Sequence, residues 1–138
     1  MTRVVMGLLF DLSGRILIAK RNPQKRYGGL WEFPGGKVEA GESYEEALVR
    51  EIREELDAEI SIGKVYPGYL FSYRSLSAEF IPVSAAIKPG DITLMEHDAC
   101  RFVRFEEIGG YDLSPYDQGA VELINSDRFA PPIKPDCV

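Results

Sequence analysis

Three glutamates, Glu51, Glu54 and Glu55, stand at offsets 0, +3 and +4 in a chain of 138 residues. On an α-helix successive residues turn by about 100°, so the three carboxylates fall within one arc of about that width. Like charges at this spacing repel by about 0.2–0.5 kcal/mol per pair even on an exposed helix. The same wheel places Tyr44, Leu48, Ile52 and Leu56 on an apolar stripe, with Glu55 projecting at its edge between Tyr44 and Leu48. A carboxylate against a core is costly unless positive charge meets it. A solvated acidic face accounts for Glu45 and Glu46 but leaves Glu55 unexplained. Oxygen ligands clustered on a rigid element suit Mg²⁺ or Mn²⁺, hard cations held between a few carboxylates and substrate phosphates. The chemistry implied is a divalent-metal phosphate site.

Several elements must position that helix. Ser43 is an N-cap and Glu46, three residues on, completes a capping box. Ahead of it, Pro34 fixes the chain while Gly35 and Gly36 allow close backbone approach, which reads as a loop lending a carbonyl to the metal. Val4 to Phe10, the turn residues Asp11 to Gly14 and Ile16 to Ala19 read as a strand hairpin. It is followed by Lys20, Arg21, Lys25 and Arg26, the one dense basic cluster of an acidic protein. That cluster is either a solvated loop or a phosphate clamp, arginine having the planar fork for it. Arg50 either pairs on the surface with Glu46 or Glu54, worth under about 1 kcal/mol, or orients Glu51. Glu32 reads as a strand-end surface residue, with a sugar or a basic neighbour as the other contact, and His97 as a surface residue.

Further strands are expected over Ile60 to Phe71, Leu76 to Ile87 and Cys100 to Phe105, with Pro82 marking an edge strand or a bulge. Tyr66, Tyr69, Phe71, Tyr73 and Phe80 read first as core and second as the wall of a base pocket. Ser114-Pro115 opens a last helix through about Asn125. The stretch 126–138, with its APPIKPDCV ending, has no periodicity and reads as an irregular tail of a single domain spanning 1–138.

Gly36, five residues, Glu42, seven residues, then Arg50-Glu51-Ile52-Arg53-Glu54-Glu55-Leu56 resembles the Nudix box, and the surrounding LWEFPGGKVEAGES resembles the MutT branch of the Nudix hydrolases. The match covers about a sixth of the chain. It departs from the pattern where Asp57 and Ala58 replace a glycine and an aliphatic residue. Asp tolerates the left-handed conformation that ends such a helix better than most non-glycine residues. The resemblance implies the Nudix fold, an α/β/α sandwich with a mixed β-sheet, and Mg²⁺ or Mn²⁺ held by the Gly35 carbonyl, Glu51, Glu54, Glu55 and the loop residue Glu96. Arg50 would orient Glu51, with Glu51 or Glu96 as general base; Arg21 and Lys37 would bind phosphate and Asp117 would read the base.

Composition limits the partners. A net charge of −6 argues against a nucleic-acid polymer, which calls for a basic patch. Two cysteines make no disulfide framework, and no stretch has transmembrane length or a signal-peptide layout, so a cytoplasmic protein is expected. With no GxSxG, a Ser-His-Asp hydrolase has thin support. The expected activity is hydrolysis of a (d)NTP to (d)NMP and pyrophosphate by a monomer or homodimer, with 8-oxo-dGTP or (d)CTP-type substrates. The alternatives are ADP-ribose, a dinucleoside polyphosphate or a capped RNA end as substrate, or a regulator that binds a nucleotide without cleaving it. An intact box argues against the last.

Overall fold

The computed structural model describes residues 1–25, 27–73 and 76–127. Strands β1 (Thr2–Phe10) and β2 (Ile16–Lys20) form the expected hairpin, in register at Phe10 and Ile16. Asp11 closes its turn by accepting from the amides of Ser13 and Arg15. There follow β3 (Trp31–Glu32), β4 (Gly35–Lys37), α1 (Tyr44–Leu56), β5 (Ile60–Val65), β6 (Tyr69–Tyr73), β7 (Leu76–Ile87), β8 (Ala99–Val103) and α2 (Gln118–Asp127). The strands make one mixed sheet of order β3-β2-β1-β7-β5, with β4 on β1, β6 on β7 and β8 on β2. The β1–β7 pair is parallel and every other pair antiparallel.

Strand alternation divides the core between the two sheet faces. From β1, Val5 and Leu9 pack toward Ala47, Leu48, Ile52 and Leu56 of α1. Met6, Leu8 and Phe10 pack on the other face with Ala120 and Ile124 of α2. This is the α/β/α sandwich with a mixed sheet. Leu48, Ile52 and Leu56 are fully buried, each such side chain contributing about 1.5–3 kcal/mol. That burial fixes the rotation of α1, and with it the direction in which its glutamates point.

The caps of α1 are those the residues imply. Ser43 accepts from the Glu46 amide and Glu46 from the Ser43 amide. Asp57 ends the helix in the left-handed region at φ 50° and ψ 39°, its amide bonded to the Arg53 carbonyl. Two expectations change. Strand β7 pairs on both sides, so Pro82 is not on an edge. It lies between the segment paired with β6, which reaches Phe80, and the segment paired with β5, which starts at Val83 next to a register shift, and its carbonyl accepts from the Tyr66 amide. Helix α2 runs through Asp127, two residues into the stretch expected to be irregular; the rest of that stretch lies outside the described residues.

Candidate active site

Glycine brings the strand layer onto the acidic helix. A Cβ on Gly36 would fall 2.4 Å from the Glu51 carboxyl carbon, and one on Gly35 would fall 2.0 Å from the Val5 carbonyl oxygen. Only hydrogen at these Cα atoms lets β4 pair with β1 while Glu51 lies against it. The loop after β7 is tied down by its backbone: the Thr93 and Met95 amides donate to the carbonyls of Leu56 and Glu55, and the Asp98 amide to Lys20. Those bonds bring Glu96 and His97 to the end of α1.

The result is a polar cavity of about 160 Å³ lined by Arg21, Glu32, Gly35, Glu51, Glu55 and Glu96 among others. Glu55 is 4% exposed. Burial, reinforced by the carboxylates of Glu51, Glu32 and Glu96, pushes its pKa up to about 10. Glu55 therefore holds a proton at neutral pH. Arg50 meets Glu42 with two bonds, at 2.6 and 2.9 Å, and reaches Glu51 at 2.9 Å, Glu54 at 3.3 Å and the Lys37 carbonyl at 2.9 Å. The Arg50 guanidinium, helped by the Glu39 amide, holds the Glu42 carboxyl down to about 2. Arg50 thus bridges Glu42 and Glu51, with its two bonds to Glu42.

Of the other expected ligands, Glu96 reaches the cavity, half exposed and 3.2 Å from Lys25. Glu54 is not among the lining residues; its side chain is 57% exposed and bonded to Arg50. Among the described residues, a grouping of potential ligand atoms within 4.8 Å of one another is Glu32, Glu55 and His97, which shares only Glu55 with the expected set. Sequence reasoning placed both Glu32 and His97 on the surface first; the basic neighbour it allowed Glu32 is Arg21, but the burial and the pairing with His97 were missed. Glu32 is 6% exposed and the His97 side chain 5%. Glu32 accepts from His97 Nε2 at 2.7 Å on one oxygen, and on the other from Arg21 at 2.8 Å and from the Tyr116 hydroxyl. Burial works to raise its pKa, but these three donors outweigh burial and keep it below the usual value. The one available signal was the run Met95-Glu96-His97, which places the histidine beside the loop carboxylate.

A second cavity, about 240 Å³ and largely apolar, adjoins the first and shares Arg21, Glu32 and Gly35 with it. Tyr27, Phe80 and Tyr116 form part of its wall, and Phe80 and Tyr116 stack with centroids 5.2 Å apart. Lys37, exposed, stands at its rim. Phe80 and Tyr66 are both buried core residues, and Phe80 also forms part of a pocket wall. Asp117 is wholly buried beside Tyr116 and outside both linings, with neither carboxylate oxygen hydrogen-bonded among the described residues. Burial first, then the Glu32 charge, raise its pKa well above the ordinary range, and the nearby Phe33 amide and Arg21 do not compensate. A larger hollow of about 620 Å³ beside the starts of β1 and α1 is open, and its one strongly perturbed carboxylate, Glu42, is taken up by Arg50.

Residues 1–125 match the NUDIX domain family. The chain belongs to the Nudix family. The chain is 39% identical over 132 residues to a protein of Escherichia coli K12 named CTP pyrophosphohydrolase, covering 93% of this chain and 95% of that one. It is 35% identical over 78 residues to the 8-oxo-dGTP diphosphatase of Haemophilus influenzae, covering 56% of this chain and 57% of that protein. Among solved structures, the MutT protein of Methanosarcina mazei Go1 superposes with a TM-score of 0.81 at 25% identity, over 92% of this chain and 94% of the other.

The donor set of the polar cavity suits the divalent metal of a Nudix site. It offers several carboxylates with a cationic rim, and at least one carboxylate, Glu55, that burial will not leave charged alone. Among the described residues no helix is long and apolar enough to cross a membrane.

Proposed function

We propose that this chain hydrolyses nucleoside triphosphates to the monophosphate and pyrophosphate with Mg²⁺ or Mn²⁺, acting on (d)CTP-type or 8-oxo-dGTP-type substrates. The observation that carries this reading is the pair of adjoining cavities. A carboxylate-rich one with a cationic rim suits a metal-bound polyphosphate, and an aromatic-walled one joined to it through Arg21, Glu32 and Gly35 suits a base. The names of the relatives in Escherichia coli and Haemophilus influenzae support the substrate class.

Glu51, Glu55, Glu96 and the Gly35 carbonyl would hold the metal, with Glu54 at the margin. Bound there, divalent cations would offset phosphate charge and acidify water. Arg50 fixes the Glu51 carboxylate, which suits a ligand. Glu96, half exposed, suits acceptance of a proton from the attacking water. Arg21, shared by the two cavities, and Lys37, at the rim of the second, would steady the phosphates. Asp117 would read the base once Tyr116 gives way, since its orphaned carboxyl offers an acceptor when ionised and a donor when protonated.

The test follows pyrophosphate release from dCTP, CTP and 8-oxo-dGTP, and AMP formation from ADP-ribose, each with Mg²⁺ or Mn²⁺. Release from the triphosphates, abolished by EDTA, is expected. Cleavage of ADP-ribose alone, or binding without turnover, would reject the assignment.

A further inference from the structure

We propose that His97 is a positioning residue, its Nε2–H clamping the Glu32 carboxylate at the junction of the two cavities and holding it apart from Glu55. The role rests on the hydrolase reading above. His97 Nε2 lies 2.7 Å from one Glu32 oxygen and 3.7 Å from Glu55 Oε1, so the imidazole stands between two buried carboxylates. The other Glu32 oxygen is engaged by Arg21 and Tyr116. Glu32 is thereby a buried carboxylate with donors on both oxygens, the condition under which it stays charged without a metal.

The ring is aimed by this bond. Its Nδ1 has no hydrogen-bond partner among the described residues, so nothing on that side sets its orientation. The backbone bonds of Met95 to Glu55 and of Asp98 to Lys20 fix the loop on both sides of it. The rival geometry is a cation among Glu32, Glu55 and His97. It would have to break the 2.7 Å bond and strip the proton from Nε2. Without His97, one Glu32 oxygen loses its donor and the carboxylate is free to turn toward Glu55. Arg21, bonded to the same carboxylate and to the Tyr116 hydroxyl at 3.0 Å, then loses one of the partners that hold it.

The chain has a single histidine, so a long-range proton–nitrogen NMR spectrum shows one imidazole. Nε2 is expected to carry a proton in both the metal-free and the Mg²⁺-loaded protein, and Glu32→Gln is expected to move that signal. An unprotonated Nε2 in the Mg²⁺-loaded protein would make His97 a ligand and overturn the proposal.

In kinetics, His97→Ala should raise the nucleotide KM by about 10-fold or more with kcat and the Mg²⁺ activation constant little changed. His97→Gln, which keeps a donor at similar reach, should recover most of that loss, with thermal melting confirming that both variants fold. A raised activation constant at constant KM, equal damage from both variants, or an undiminished His97→Ala effect on a Glu32→Gln background would each refute the clamp. If the unaltered protein releases no pyrophosphate, the hydrolase reading falls while the NMR result still decides whether His97 holds Glu32.

Discussion

Replacing Glu55 with glutamine should stabilise the metal-free protein. Glu55 is 4% exposed, and its pKa rises from 4.5 to about 10 through burial and its carboxylate neighbours. Between those two values the unfolded side chain is ionised while the folded one holds a proton. Folding then takes up a proton, and stability is lost as pH rises through this window. The loss is absent below pH 4.5 and grows by about 1.4 kcal/mol per pH unit above it. At pH 7 the interval above 4.5 amounts to a penalty of about 3 kcal/mol, whatever the raised value, provided it stays above 7. Glutamine has nearly the same shape, is neutral in both states and carries no such penalty. The expected gain in Tm at pH 7 is about 10 °C, taking about 2–4 °C per kcal/mol for a chain of this size. Differential scanning in EDTA at pH 5 and pH 7.5 measures it. The gain should be small at pH 5 and large at pH 7.5, and saturating Mg²⁺ should raise the Tm of the unaltered protein more than that of the variant. A variant no more stable at pH 7.5, or equally stabilised at both pH values, would refute the reasoning.

Other perturbations test neighbouring parts of the site. Arg50→Lys loses the two-pronged contact with Glu42 that aims Glu51, and should weaken Mg²⁺ affinity by about 10–100-fold in an activation titration. Asp57→Gly relieves a left-handed non-glycine residue at φ 50° and should add about 0.5–1 kcal/mol to stability in urea melts with turnover unchanged. Asp117→Asn should reorder the preference among dCTP, CTP and 8-oxo-dGTP more than it changes the highest kcat. An equal loss on every substrate would make Asp117 a buried structural group.

The acidic helix was legible because its information is local. Its caps, its apolar stripe and the offsets of Glu51 and Glu55 all follow from a period of 3.6, and the core on α1 confirms the rotation they imply. The glycine bend was legible as a need for close approach, though not what approaches: the Glu51 carboxylate at Gly36 and the β1 backbone at Gly35. Glu32 and His97 were not legible. Glu32 sits on a two-residue strand, and its histidine partner is 65 positions away in a loop with no periodicity. Their burial is decided by backbone bonds joining Leu56, Glu55 and Lys20 to that loop, contacts that leave no local pattern. Pro82 misled in the same way, because a strand can change partners midway and give a proline an interior place.

The placement of the cation is the point on which the functional reading turns. Crystals soaked in Mn²⁺ and measured near the manganese absorption edge should show anomalous density in the polar cavity, within ligand distance of Glu51, Glu55 and the Gly35 carbonyl. Density elsewhere on the surface, with those carboxylates unliganded at saturating Mn²⁺, would contradict it.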